Sequence, residues 1–223
     1  MKKNNILKVV TGSVACLAMV CFGSYCYNAQ AVENKLETNE PIIFNEVSSY
    51  DTKYNFADNS VLADFSDLIV IGKVTNLDEA TNYNPKTQKY SKARTPGNLE
   101  ILEVLKSDGS KLLKSIDFLD VGGTLRYNEY EKSLLPAQKA KREYLMQQNG
   151  ISTKRNNIYV KQSVENQLDL EEGKTYIMYL KYDENFEKYM VVNQPYGVKE
   201  YNTNTKQILN HVTNTIENIN EMM

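Results

Sequence analysis

Cys16, Cys21 and Cys26 are the only cysteines of the 223-residue chain, and their crowding near the N-terminus limits how the rest can fold. They lie in a segment with the features of an export signal. Lys2, Lys3 and Lys8 form a positive n-region, Val9 to Tyr27 is uncharged and mostly apolar, and Ala29-Gln30-Ala31 is a small-x-small cleavage site. The expected product starts at Val32, is secreted or associated with the cell envelope, and contains no cysteine. An uncleaved anchor is the alternative, because the apolar stretch approaches the ~18–20 residues that span a bilayer. Gly12, Gly23 and Ser24 weaken that reading. No convincing lipobox precedes any of the three cysteines. A disulfide framework is therefore excluded from the mature chain, which must hold together by burial alone.

About 190 residues remain, enough for one domain that buries roughly 70% of its unfolded surface. Removing the three signal lysines from 26 basic residues leaves 23 against 28 acidic ones, a net charge of −5. That balance argues against nucleic acid or an anionic membrane as partner, since either wants a basic patch.

Residues 32–57 are polar around one apolar island, Pro41 to Phe44, and read as an extended or partly disordered lead. Asp58-Asn59-Ser60 can cap a short helix that runs into "SDLIVIGKV", Ser66 to Val74. The Gly-Lys pair there is no phosphate loop, because Asp67 stands where a glycine is needed and Val74 where a hydroxyl is needed. The apolar run reads as a strand, and alternation puts its Ile69 and Ile71, with Ile177 and Tyr179 of a later run, inside the expected barrel. Asn76 to Asn98 reads as a long loop. Further strands are expected over Leu99–Lys106, Ser115–Val121, Ile158–Val160, Lys174–Lys181, Lys188–Val192 and Gly197–Tyr201, with Asp183-Glu184-Asn185 as a hairpin loop. The period turns helical from Arg126 to Gln148, with Pro136 breaking or restarting the helix. Ile208, Val212, Ile216 and Ile219 read as the sparse stripe of a C-terminal helix over 206–223. The expected fold is mainly β with helical additions: an antiparallel barrel over 58–205, with a helical insertion near 126–148.

Catalytic material is scarce. His211 is the only histidine and falls in the expected terminal helix. Thiol nucleophiles and thiolate zinc sites are absent from the mature chain. Asp117 and Asp120 are three apart on a strand and face opposite ways, Glu171-Glu172 reads as a solvated corner, and Asp108-Gly109 lacks the ligand ladder of a calcium loop. No metal or cofactor is expected. Lys132, Lys139, Lys141 and Arg142 read as a solvated helix face balanced by Glu129, Glu131 and Glu143.

Tyrosine is the distinctive residue, 16 against 6 Phe and no Trp, a preference that AT-rich coding produces as readily as a recognition surface does. Tyr83, Tyr90, Tyr127, Tyr130, Tyr196 and Tyr201 fall in or beside expected loops, and tyrosine is enriched where proteins recognise partners. The first four are the candidate binding residues.

"SDLIVIGKV", "ILEVLKSDGS" and "LEEGKTYIMYLK", in that order, resemble the signatures of a family of small exported Gram-positive bacterial proteins. That family has an oligonucleotide/oligosaccharide-binding-like (OB-like) barrel, similar in fold to the inhibitory domain of tissue inhibitors of metalloproteinases. The cysteine-free composition, rich in Asn, Lys, Ile and Tyr, also resembles a low-GC Gram-positive product. The resemblance spans Ser60 to Tyr201 and implies a protein target. In the metalloproteinase inhibitors an N-terminal Cys chelates the target's zinc; the predicted N-terminus here is Val32, so that mechanism does not carry over. The expected function is a non-enzymatic exported binding module. The alternatives are a carboxylate-dependent cell-wall hydrolase, which needs two acidic groups in one groove, and an oligomeric envelope assembly factor.

Overall fold

The computed structural model describes residues 40–49, 52–107, 109, 114–152 and 156–219. The expected signal segment and the predicted start at Val32 lie outside the described residues. Five strands close a ring: β2 (Leu68–Leu77), β4 (Lys89–Ser107), β5 (Ser115–Val121), β9 (Lys188–Val191) and β8 (Thr175–Asp183), the last returning to β2. All neighbours in the ring run antiparallel except β5 and β9, which share a short parallel contact at Phe118–Leu119 and Tyr189–Met190. This is a mainly β fold with a barrel-like ring and helical additions.

The ring's lumen is filled by one apolar cluster to which every ring strand contributes. Leu68, Val70 and Val74 come from β2, Leu99 from β4, Ile116 and Phe118 from β5, Tyr176, Met178 and Leu180 from β8, and Val191 from β9. Gly72 sits with this set because Leu99 occupies its place: a Cβ there would lie 2.5 Å from Leu99 Cγ. Bulges between Ile69 and Val70 and between Ile71 and Gly72 bend β2 around the small ring.

The alternate residues of β2 and β8, Ile69, Ile71, Ile177 and Tyr179, pack outside the ring. They meet Leu62 and Ala63 of α1 (Asn59–Phe65) and Ile208. Pattern reading had placed this set in the barrel; both faces of these strands are covered, so alternation identified the partners correctly and the side wrongly. Asp58 caps α1 by accepting from Ser60 N at 2.9 Å, and Lys106 closes its far end by donating to the carbonyls of Ala63 and Ser66.

The expected C-terminal helix is instead a run of strands. β10 (Val198–Asn202) pairs with β8, and β11 (Gln207–Asn210) and β12 (Thr215–Glu217) extend the sheet. The expected long loop is also a hairpin, with β3 (Thr81–Asn84) pairing the start of β4. One turn design explains both corrections. Asn84, Asp183, Asn202 and Asn210 each accept, through the side chain, from the backbone N–H groups two and three residues ahead. The residue four ahead, Gln88, Glu187, Lys206 or Asn214, has a positive φ of 54 to 57°. The Asx side chain stabilises the turn and the left-handed residue aims the chain back along itself.

A three-stranded sheet stands beside the barrel. β7 (Ile158–Val164) is its centre, flanked by β6 (Gly123–Arg126) antiparallel and β1 (Ile42–Ser48) parallel. Part of the segment expected to be an extended or partly disordered lead is thus a strand in continuous seven-residue register with β7. Gly122 and Gly123, at φ +95 and +126°, turn the chain from β5 into β6. The helical insertion packs on this sheet: α2 (Tyr127–Tyr130), a 3-10 turn over Glu131–Ser133, and α3 (Pro136–Gln148), which starts at the proline as expected. A last short helix, α4 (Gln194–Gly197), links β9 to β10.

Candidate functional site

Tyr83 on β3 and Tyr90 on β4 stand directly opposite each other. Their ring centroids are 5.0 Å apart, and the residues stay 38% and 40% exposed. Polar contacts fix the hairpin that carries them. At its tip, Lys86 Nζ donates to the Glu184 carbonyl at 2.6 Å and to Glu187 Oε1 at 2.9 Å, and Asn84 Nδ2 donates to the Asn185 carbonyl at 3.2 Å. All three partners belong to the β8–β9 hairpin, so the two hairpins clasp each other. Along its flank, Asn82 Nδ2 donates to the Glu129 carbonyl at 2.8 Å. The Lys132 ammonium lies 5.5 Å from the Tyr90 ring and also pairs with Glu129 at 2.7 Å. The Arg94 guanidinium stacks over Phe186 at 5.0 Å. The hydrogen bond that Lys86 donates to Glu187 holds its ammonium above the ordinary lysine pKa.

Tyr127 and Tyr130 are elsewhere. They lie three residues apart on one face of α2, which turns both inward, and each is at most 4% exposed. They join Ile42, Leu125, Met146, Ile151, Ile158 and Val160 in a core of their own. Neither presents its ring to solvent. Burial pushes the Tyr127 hydroxyl up to about 12, and its oxygen has no hydrogen-bond partner among the described residues. Tyr130 does the opposite, donating to Glu46 Oε1 at 2.5 Å while accepting from Arg142 at 2.9 Å. Arg142 pairs with Glu46 directly, and Gln162 Nε2 donates to Glu46 Oε2 at 2.8 Å. Arg142, read as part of a solvated face, is therefore buried in this network. Lys132 and Lys139 keep the surface pairing expected of them, with Glu129 and Glu131.

Of the other tyrosines singled out, Tyr196 lines an open groove of about 290 Å³ with Tyr54 and Phe56. Tyr201 packs beside α1's cluster.

The carboxylates are dispersed. Asp117 accepts from Asn98 Nδ2 at 3.1 Å, Glu172 accepts from Leu77 N at 2.8 Å, and Glu171 pairs with Lys174 at 2.7 Å. Asp120 is buried at the end of β5, where Val121 N donates to one oxygen and the amides of Gln167 and Gln194 approach the other at 3.3 Å. Burial raises its pKa to about 7. A carboxyl that keeps its proton near neutrality has the acidity of a general acid, but at 4% exposure it opens to no groove a polymer could enter. His211 sits in the β11–β12 turn, with Nε2 at 2.8 Å from the Asn166 carbonyl. Among the described residues, no three His, Cys, Asp or Glu side chains gather as a metal ion would need.

Sequence reasoning missed Glu46, Gln162 and Gln194. Glu46 did carry a signal: it shares strand parity with Ile42 and Phe44, which puts a carboxylate on the buried face and calls for a cation. No protein-family model matches the chain, and a search of characterised proteins finds no match.

Proposed function

We propose that this is an exported, non-enzymatic binding module that recognises a protein at or beyond the cell surface through the paired β3–β4 and β8–β9 hairpins. The observation that carries the reading is the Tyr83–Tyr90 pair, exposed on a hairpin held at tip and flank. Large amphipathic rings on a preorganised support lose little entropy when a partner covers them. On the neighbouring hairpin Tyr182, 44% exposed, meets Tyr189 edge-on at 5.4 Å. Loops on a rigid barrel are where recognition residues concentrate, since a ring this narrow fills its own lumen. The OB-like resemblance and the export signal support the same reading.

The test is capture of cell-surface proteins by the secreted form, compared with Tyr83→Ala/Tyr90→Ala and with Leu135→Ala as a distant exposed control. A partner retained by the parent and the control but lost by the double variant supports the proposal. Equal recovery by all three would move the recognition surface off this hairpin.

A further inference from the structure

We infer that β1 is a docking edge for a second copy of this chain, giving a two-fold dimer in which two β1 strands pair antiparallel. β1 has only one strand neighbour among the described residues. Its hydrogen bonds to β7 fix which groups face that neighbour: Ile42 N donates to the Asn157 carbonyl, and the Ser48 carbonyl accepts from Glu165 N. In a parallel pair, bonding groups alternate along the strand. Ile42, Phe44, Glu46 and Ser48 therefore point their backbone at β7, and Ile43, Asn45 and Val47 point theirs at the open edge. The side chains of those same three residues are exposed, Ile43 at 53% and Val47 at 39%.

Edges of this kind are normally blunted by lysine, proline, a bulge or an uncompensated inward charge. The strand Ile42-Ile43-Phe44-Asn45-Glu46-Val47-Ser48 contains no lysine or proline. Its register with β7 is unbroken. Its one inward charge, Glu46, is already neutralised by Arg142.

The occupant follows from self-complementarity. With the two-fold axis at Asn45, Ile43 of one copy lies opposite Val47 of the other, Val47 opposite Ile43, and Asn45 opposite Asn45. Each of these pairs falls where both N–H···O bonds are exchanged. Apolar faces apolar and amide faces amide on the exposed side of the sheet, the arrangement that stabilises cross-strand pairs. On the other side Phe44 meets Glu46, so no like charges oppose. An isologous interface pairs each residue with its mirror position about the axis, and about Asn45 this strand sets Ile43 against Val47 on both flanks.

Sedimentation of the secreted protein over a wide concentration range should show a monomer–dimer equilibrium. Hydrogen exchange should show the amides of Ile43, Asn45 and Val47 becoming protected as concentration rises, with those of Phe44 and Glu46 protected throughout. Asn45→Pro removes an N–H at the axis without touching the β7 ladder; it should weaken the dimer at least tenfold while the melting transition persists. Should that variant fail to fold, Ile43→Lys, which places a charge opposite Val47, decides by the same readout. A protein that stays monomeric at the highest concentration, a dimer in which the three odd amides still exchange fast, or a dimer unaffected by the folded variant would each overturn the inference.

Discussion

In the barrel lumen the buried side chains from Leu68 to Val191 are apolar or aromatic, and the hydroxyl of Tyr176 turns out to accept from Glu171 N. The neighbouring sheet seats a charged pair, Glu46 and Arg142, in the same layer as Ile42, Tyr130 and Met146. The lumen would tolerate any well-packed apolar set of the right volume. The sheet's core depends on four specific polar groups meeting, from β1, α2, α3 and β7. A buried pair of this kind adds little net stability over a hydrophobic replacement, but it is costly to break and selects one arrangement of the strands around it. It therefore fixes β1 in register against β7 in a way that apolar contact alone would leave loose.

The sharpest way to break the comparison is to remove one member of the pair. Arg142→Met leaves the Glu46 carboxylate buried without its cation and should cost on the order of 3–5 kcal/mol in a urea melt. The double variant Glu46→Met/Arg142→Met should recover much of that loss. If the single variant melts within about 0.5 kcal/mol of the parent, as ordinary surface changes do, the network is not what holds β1. In the lumen the corresponding cut is apolar: Met178→Ala, at 0% exposure on β8, should cost about 2–5 kcal/mol. No second substitution elsewhere in the molecule should rescue it, because there is no partner charge to remove.

The same contrast explains what could be read beforehand. Leu68 to Ile71 and Tyr176 to Leu180 are continuous apolar runs because both faces of β2 and β8 are covered, so the strands were legible while their inner side was not. The Glu46–Arg142 contact joins residues 96 positions apart, a separation that no local pattern reports. At the C-terminus, Ile208, Val212, Ile216 and Ile219 have helical spacing, yet Asn202 and Asn210 divert the chain into turns before a helix can form. The asparagines were the stronger signal, since a side chain that satisfies two backbone N–H groups competes directly with helix hydrogen bonding. For the candidate site, Tyr83 and Tyr90 were legible as surface aromatics. Tyr127 and Tyr130 were not, because composition beside a predicted loop says nothing about which way a four-residue helix faces.

A smaller effect tests a buried carboxyl, Asp120, approached by the amides of Gln167 and Gln194. Asp120 has its pKa raised to about 7 by burial, so the folded state holds this proton more tightly than the unfolded chain. Its stabilising contribution is full below the unfolded value near 3.8 and is lost as pH rises through the folded value. Between about pH 5 and 7 the parent should lose about 2 kcal/mol from this group. Asp120→Asn should remove that slope. Glu217 shifts the other way, held low by Lys199 and Asn210 against its own desolvation, so its effect falls at more acidic pH and does not mask the test. A parent whose denaturant midpoint is flat across this window would show that Asp120 is not desolvated as its burial implies.

The smallest effects separate the two tyrosine pairs. Tyr83→Ala and Tyr90→Ala remove rings from a solvated hairpin and should each change stability by less than about 0.5 kcal/mol, leaving any loss of partner capture attributable to the surface itself. Tyr127→Phe is a finer probe, because it deletes a buried hydroxyl that has no hydrogen-bond partner among the described residues and leaves the ring in place. An unsatisfied buried hydroxyl costs about 1–3 kcal/mol of desolvation, so this variant should be at least as stable as the parent, and capture should not change. Tyr130→Phe differs from it by a single hydroxyl that bridges Glu46 and Arg142, and it should be clearly destabilised. Equal melts for the two phenylalanine variants would mean that the polar network around Glu46 contributes nothing beyond packing, and the sheet would then be held by the same physics as the barrel.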